Sequence, residues 1–154
     1  MGETIKQLAV ILGAINLENQ KKLLVGMENA AKELNYNLFV FTNYVGTRET
    51  EESIMASSQI LRLPDLSKFD GLVLVPNTVH NPFALKKVLD DIKELNVPTV
   101  CIDRKIEGLS SVGIDSYSAE YEMVEHFLYH GYTNILYVSG SLVASSEARK
   151  RCKA

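Results

Sequence analysis

The chain has 154 residues, of which 46% are hydrophobic, and its formal net charge is −3. A chain of this length fits one ordinary domain that buries roughly two thirds of the surface of its unfolded form. Basic and acidic residues are interspersed, so no broad basic face predicts direct binding of nucleic acid. Residues 1–7 carry charges and no long apolar run, so the sequence predicts neither a signal peptide nor a membrane span and indicates a cytoplasmic protein.

Five short apolar runs organise the sequence, and each is followed by a loop and a helical pattern. They are Gln7–Ile15, Asn37–Tyr44, Gly71–Pro76, Pro98–Asp103 and Asn134–Gly140. The runs are too short for helices and too uniformly apolar for strands with a solvated face, so they predict parallel strands covered by helices on both sides. The predicted fold class is α/β, a three-layer α/β/α sandwich with a mostly parallel five-stranded sheet in the flavodoxin-like order 2-1-3-4-5.

Apolar residues at helical spacing predict helices between the strands. The first helix covers about Asn19–Leu34, the second about Glu49–Leu61 and the third Pro82–Leu95. Between the second helix and the third strand, we expect Leu66 and Phe69 to plug a loop against the sheet.

The helix ends carry their own signals. Asn81 precedes the proline that opens the third helix and is expected to cap it. Asp115 or Ser116 caps a fourth helix that runs through His130, and Gly131 stands where a left-handed terminator is expected.

The last helical pattern begins at about Ser145 and continues through Ala154 without a stop signal. We therefore expect residues 1–6 to be a tail and residues 7–154 to form a single α/β lobe that is truncated within its last helix.

Polar side chains cluster in the loops that follow the strands, where an open parallel sheet binds ligands. The candidate ligand-binding residues in these loops are Asn16, Tyr44, Asn77, Asp103, Arg104 and Ser141. A carboxylate accepts bonds from paired hydroxyls and a guanidinium donates as a rigid fork, so Asp103 beside Arg104 indicates a small polyhydroxylated or amide-bearing ligand such as a sugar. The alternative is that Asp103 and Arg104 pair with each other or fix the next loop.

No motif for catalysis or for a cofactor is evident. Gly13 stands alone in the first loop, which matches neither a phosphate-binding loop nor the G-x-G-x-x-G pattern. Glu122, His126 and His130 are spaced to share one helical face, but without a further ligand they indicate a solvated stripe more than a metal site. We predict a non-enzyme without cofactor or metal, and leave a flavin enzyme of flavodoxin-like fold as a minor alternative.

The two cysteines, Cys101 and Cys152, are sparse and follow no ligand spacing. They indicate reduced thiols and neither a disulfide framework nor a zinc site.

Several strings of the sequence, taken in order, follow a family pattern. They are Val97–Arg104, Ser111–Asp115, Glu125–Leu128, Gly131–Tyr132, Ile135–Gly140 and Ala148–Arg151. In order and spacing they resemble the type 1 periplasmic-binding-protein fold as used in the lac-repressor family, along nearly the whole chain. The resemblance implies the amino-terminal lobe of a two-lobed sensor that closes on a small polar effector, a sugar or a nucleobase-like compound, shared with a missing second lobe.

The resemblance also implies roles for particular residues. Family members use the aspartate at a strand end and its arginine neighbour against the ligand, which implies this role for Asp103 and Arg104. The second arginine of the Ala-Arg-x-Arg string implies the same for Arg151. The first loop lacks the Asn-Pro-Phe string frequent in sugar-binding relatives, so the class of ligand stays open.

The output of the protein is expected to lie outside these residues. The stretch Leu63–Gly71 with Asn77–Val79 resembles sensor regions that precede bacterial diguanylate cyclase domains, although it also fits an ordinary turn. We therefore expect a non-catalytic ligand-sensing lobe of a bacterial signalling or transcriptional protein. One alternative is the effector-binding and dimerisation lobe of a lac-repressor-family regulator. Another is a dimerisation module without a ligand, in which Ile54, Leu85 and Val88 supply the homodimer surface.

Overall fold

The computed structural model describes residues 5–44, 50–140, 142 and 146–154. The chain divides into two compact units, Met1–Val112 and Gly113–Ala154. That residues 7–154 form one lobe therefore stays a prediction. None of the helices in the described ranges combines the length and the apolar composition that a bilayer-spanning segment needs.

The first unit contains a five-stranded sheet in which every neighbouring pair of strands is parallel. The strands are β1 (Lys6–Leu12), β2 (Tyr36–Thr42), β3 (Gly71–Val75), β4 (Thr99–Ile102) and β5 (Ser110–Val112). Their order across the sheet is β2-β1-β3-β4-β5. The predicted fold class and strand order are confirmed.

The α-helices of the first unit are α1 (Glu18–Glu33), α2 (Glu51–Ser57) and α3 (Pro82–Leu95). Short 3₁₀ turns at Ser58–Arg62, Leu66–Lys68 and Pro76–Thr78 complete the connections. In the second unit, the structure describes α4 (Ser116–Tyr129) and α5 (Ser146–Cys152). The predicted second helix therefore ends at Ser57 and continues to Arg62 as a 3₁₀ turn.

Helices cover both faces of the sheet in the first unit. Successive side chains of β1 point to opposite faces because a strand has a period of two residues. Ile11 belongs to the core cluster that contains Val88 of α3, whereas Leu12 belongs to the cluster against which Leu23 and Met27 of α1 pack. Ile11 and Leu12 are both fully buried. The predicted three layers are thus present in this unit.

The fifth strand is not the one that the sequence predicts. Residues of the run Asn134–Gly140 are exposed and have no strand conformation. A strand needs partners for its backbone N–H and C=O groups, and the described part of the second unit offers only helices. The edge of the sheet is formed instead by β5, in which Ser110 pairs with Val100 of β4. This strand has three exposed residues, so its sequence carries no hydrophobic periodicity.

The residues offered as a dimer surface face the core. Val88 is 3% exposed and lies in the main cluster, and Leu85 is partly buried against it. Helix α3 turns its apolar stripe toward the sheet, as an amphipathic helix on a sheet does. The assignment of Leu85 and Val88 to a homodimer surface is therefore wrong, and Ile54 of α2 is half-buried.

The predicted caps and terminators are confirmed. Asn81 Oδ1 accepts hydrogen bonds from two backbone N–H groups of the first turn of α3, at 2.9 and 3.1 Å. Asp115 Oδ1 accepts from the backbone N–H of Ser118 at 3.2 Å and caps α4. Gly131 follows α4 with a φ of 84°, the left-handed conformation that glycine adopts without strain.

The predicted loop plug is also confirmed. Leu66 is 2% exposed and belongs to the main core cluster. The Phe69 ring packs edge-on against Phe39 and Phe41 of β2, with centroid distances of 5.4 and 5.9 Å. These contacts close the end of the sheet at which β3 begins.

Candidate functional site

The carboxyl ends of the first four strands lie at the same edge of the sheet. Leu12 at the end of β1 pairs with Thr42 of β2 and with Val75 of β3, and Leu74 pairs with Cys101 of β4. Because the strands are parallel, the loops that follow them leave from this edge, as the sequence predicts. We call residues 13–16, 43–44, 76–78 and 103–104 the strand-end rim.

Asn43 joins the loops after β1 and β2. Its side-chain Oδ1 accepts from the backbone N–H of Ala14 at 2.9 Å, and its backbone carbonyl accepts from the N–H of Ile15 at 3.1 Å. The side-chain amide donates to Ser57 Oγ at 3.3 Å. Ala14 is fully buried with a φ of 57°, a left-handed conformation that costs energy for a residue with a Cβ. The bonds to Asn43 therefore hold a strained turn in place.

Gly13 and Thr78 bring the loops after β1 and β3 into close approach. The N–H of Gly13 donates to Thr78 Oγ1 at 2.8 Å, and that hydroxyl donates to the Val75 carbonyl at 2.7 Å. A Cβ at position 13 would lie 2.1 Å from the backbone oxygen of Thr78. Only glycine fits here without displacing the neighbouring loop.

Asn77 and Asp103 link the loops after β3 and β4. The Asn77 side-chain amide lies 3.5 Å from the backbone carbonyl of Asp103, and the Asp103 N–H donates to the carbonyl of Val112 in β5 at 2.8 Å. Asp103 has a φ of 60°, a conformation that Asp and Asn tolerate better than most residues. Both Asn77 and Asp103 are half-buried. The backbone of Asp103 is thus fixed at the edge of the sheet without use of its carboxylate.

Asp103 and Arg104 do not pair with each other. Both residues lie in the described ranges, and no ion pair joins their side chains there. Arg104 is exposed, whereas Asp103 is half-buried. The alternative in which the two side chains neutralise each other is therefore wrong, and both remain available to a bound molecule.

The structure divides the predicted ligand residues between the two units. Those at the strand-end rim of the first unit are Asn16, Tyr44, Asn77, Asp103 and Arg104. Arg151 lies in α5 of the second unit, and Ser141 lies outside the described residues. Of the rim residues, Asn77 and Asp103 are joined by a direct contact, and Tyr44 is 69% exposed.

Gly13, Asn43 and Thr78 organise the rim, and sequence reasoning did not single them out as site residues. Each has its partner in a neighbouring loop that is distant in sequence. Asn43 and Ala14 are 29 residues apart, and Thr78 and Gly13 are 65 residues apart. The one local signal was their place at or just after the end of an apolar run, where short polar side chains such as those of Asn43 and Thr78 often bond to backbone groups.

Cys101 is fully buried in β4 next to the rim. Burial raises the pKa of the Cys101 thiol, and the positive charge of Arg104 opposes part of that rise. A protonated, buried thiol is a poor nucleophile. Within the described ranges, His, Cys, Asp and Glu side chains form no group of three or more that is arranged to hold a metal ion.

The second unit has a cavity of its own beside α5, with a volume of about 300 Å³. Arg151 lines it together with Glu120, Tyr137 and Ser139. Hydroxyl and carboxylate groups of the second unit thus line the same cavity as Arg151, the arginine predicted to bind the ligand.

Several solved structures that match this fold are transcriptional regulators. A lac repressor dimer bound to operator and the anti-inducer ONPF matches with a TM-score of 0.68 and 16% identity, over 99% of this chain and 50% of that chain. The transcription regulator CcpA of Lactococcus lactis matches with a TM-score of 0.68 and 21% identity, over 97% of this chain and 51% of that chain. A LacI transcriptional regulator from Lactobacillus brevis matches with a TM-score of 0.69 and 22% identity, over 96% of this chain and 54% of that chain.

No protein-family model matches this chain, and no curated protein matches its sequence. The chain spans about half the length of these solved structures. At identities of 16 to 22%, the likeness shows a shared fold, so the chain has the periplasmic-binding-protein-like fold of lac-repressor-type regulators.

Proposed function

We propose that this chain is the effector-binding lobe of a bacterial transcriptional regulator of the lac-repressor type. The observation that carries the proposal is the strand-end rim, in which Asp103 has a fixed backbone and a carboxylate that bonds to no other residue in the described part of the chain. The position is the one at which open parallel sheets bind ligands. The fold of the solved regulators supports the same assignment.

The rim groups define the chemistry of the effector. Asp103 offers acceptors for hydroxyl or amide N–H groups, and Arg104 beside it donates hydrogen bonds and positive charge. Asn77 and Asn16 supply further polar side chains at the same edge. This combination suits a small polar molecule such as a sugar or a nucleobase. Structures of lac repressor hold the compounds ONPF and ONPG.

We propose that Arg151, which lies in the second unit, also contacts the effector. Support comes from its place at a polar cavity beside Glu120, Tyr137 and Ser139. Its guanidinium forms no ion pair or hydrogen bond within the described residues. An arginine in that state can donate its full set of hydrogen bonds to a ligand.

Regulation follows from differential affinity. An effector that binds one arrangement of the complete regulator more tightly than another shifts the population toward that arrangement. The shift is limited to the difference between the two binding free energies. The lobe thereby biases an output domain without carrying out any chemistry itself.

The test is a thermal-melting screen with ONPG, ribose, glucose, adenine and hypoxanthine. Wild type is compared with Asp103→Ala and with Asp103→Asn, which keeps the left-handed backbone favourable while it removes the charge and replaces one acceptor oxygen by a donor. Asp90→Ala is the matched control, because Asp90 is an exposed carboxylate on α3 that pairs with Lys86. We expect at least one compound to raise the melting temperature of wild type and of the control variant, and not of the Asp103 variants. A compound that stabilises all four proteins equally removes Asp103 from the site.

A sensor linked to a diguanylate cyclase, expected from the stretch Leu63–Gly71, now has weaker support. That stretch has a structural role of its own, because Asp65 caps the 3₁₀ turn and Leu66 and Phe69 plug the sheet. The three solved structures described above are transcriptional regulators. Coding sequence on either side of these residues distinguishes the two outputs.

A homodimer remains part of the proposal. One matched structure is a lac repressor dimer. The core-facing residues of α3 are excluded, but exposed apolar side chains are available on the outer surface around α2 and the start of α3. They are Met55, Ile60, Leu63 and Phe83. Analytical ultracentrifugation of wild type and Phe83→Glu tests this surface, and a monomeric wild type at micromolar concentration would argue against it.

A further inference from the structure

In the second unit, one hydrogen bond ties the start of α4 to α5. Ser116 Oγ donates to Glu147 Oε2 at 2.6 Å. The bond is charge-assisted, because its acceptor is a carboxylate, and such bonds are shorter and stronger than neutral ones. Ser116 is 3% exposed, so the donor is itself held by the surrounding chain.

The Glu147 carboxylate is satisfied on both oxygens. Lys150 Nζ donates to Oε1 at 2.9 Å, and Ser116 occupies Oε2. Burial would raise the pKa of Glu147, but the hydrogen bonds from Ser116 and Lys150 and the charges of Lys150 and Arg151 together lower it. Glu147 is therefore ionised at neutral pH and attracts Lys150 and Arg151, which follow it in α5.

Helix α5 depends on such an anchor. It has seven residues, and isolated helices much shorter than about 12 residues are marginal in water. A second tie comes from Arg149, whose guanidinium donates to the carbonyl of Leu142 at 2.8 Å. The order of this helix thus comes from its tertiary bonds and not from its length.

Glu147 and Arg151 stand four residues apart in α5 and so share one face of the helix. Glu147 forms its direct ion pair with Lys150. The Arg151 guanidinium lies instead at the cavity that it lines with Glu120 and Tyr137. The carboxylate one turn earlier still attracts Arg151 through space. This arrangement orients an arginine without engaging its donors.

We propose that Glu147, anchored by Ser116, is the positioning residue that holds α5 and keeps Arg151 at its cavity. The inference rests on the proposed ligand-binding role of Arg151 and adds the residues through which that role is prepared.

A double-mutant cycle measured by amide hydrogen exchange tests the anchor without any ligand. The variants are Ser116→Ala, Glu147→Ala and the two combined, and the control is Glu125→Ala, which removes an exposed glutamate of α4. Loss of one charge-assisted hydrogen bond predicts at least about tenfold faster exchange of the α5 amides in each single variant. The combined variant exchanges no faster than Glu147→Ala if Ser116 acts on α5 through its bond to Glu147.

Exchange of the buried α3 amides serves as the internal reference. A variant that merely destabilises the whole fold raises exchange in α3 as well as in α5, whereas the anchor predicts a change in α5 alone. Wild-type exchange of α5 in Glu147→Ala, or additive effects in the combined variant, would overturn the proposal.

Arg151→Gln separates this inference from the proposed function. It keeps both hydrogen bonds of Glu147, so it should change the exchange of α5 far less than the anchor variants do. If Arg151→Gln then shows the same melting shifts as wild type with ONPG and the other compounds of the screen, the ligand-binding role of Arg151 fails while the anchor stands. If the anchor variants exchange like wild type, the anchor fails whatever the melting screen shows.

Discussion

Replacement of Gly13 by alanine tests how tightly the strand-end rim is built. The new Cβ would lie 2.1 Å from the backbone oxygen of Thr78 and 3.1 Å from Asn43 Oδ1. Since the closest atom belongs to the backbone, relief requires movement of the loop after β3 and weakens the bond from the Gly13 N–H to Thr78 Oγ1. Overpacking of this kind costs about 1 to 3 kcal/mol, to which the weakened hydrogen bond adds about 1 kcal/mol.

Gly26→Ala is the matched control and is expected to change stability in the opposite direction. Gly26 lies within α1, and an added Cβ there meets no atom within 4 Å. Alanine in a helix interior is about 0.5 to 1 kcal/mol more favourable than glycine. Urea denaturation of both variants measures the free energies of unfolding. A Gly13→Ala protein as stable as wild type, with Gly26→Ala stabilised as expected, would refute the close approach of the two loops.

Three further predictions concern single positions. Asn43→Ala removes the acceptor that holds the left-handed turn at Ala14, so chemical denaturation should show a loss of about 1 to 3 kcal/mol, and Asn43→Asp, which keeps an acceptor oxygen, should lose less. Asn96→Gly should stabilise the protein by up to about 1 kcal/mol in the same assay, since Asn96 closes α3 with a φ of 51°; a loss of stability would contradict this assignment of the cap. Cys152 is exposed, whereas Cys101 is buried and its thiol has a raised pKa. The Cys152 thiol should therefore react with a disulfide reagent in the folded protein, and the Cys101 thiol only after unfolding. Equal reaction rates would contradict the burial of Cys101.

Elements with local signals were predictable from the sequence. Helix α3 has its predicted bounds, Pro82–Leu95, because the cap at Asn81, the proline after it and the apolar stripe all lie within the helix and its flanks. The parallel sheet followed from buried strands that read as continuous apolar runs. By contrast, β5 is a strand only because it pairs with β4, and its three exposed residues contain no signal of their own.

The same distinction between local and distant contacts applies to the site. The edge of the sheet was predictable, because polar residues directly follow the apolar runs and parallel strands place them together. The roles of Gly13 and Asn43 were not predictable, because each depends on a partner in another loop, Thr78 for Gly13 and Ala14 for Asn43. A single sequence does not reveal which distant loop a short polar side chain will reach.

Two of the bonds that organise the rim come from groups other than those proposed to bind the effector. Its loops are joined by the bonds from Gly13 to Thr78 and from Ala14 to Asn43, and the Asn77 amide contacts the backbone of Asp103 and not its carboxylate. The Asp103 carboxylate therefore keeps its full capacity to accept hydrogen bonds while its backbone is already ordered. Preorganisation of this kind lowers the entropy cost of binding, because the loops need not be fixed by the ligand. Variants that loosen these bonds, such as Asn43→Ala, should therefore weaken effector binding even though Asn43 is not one of the proposed ligand contacts.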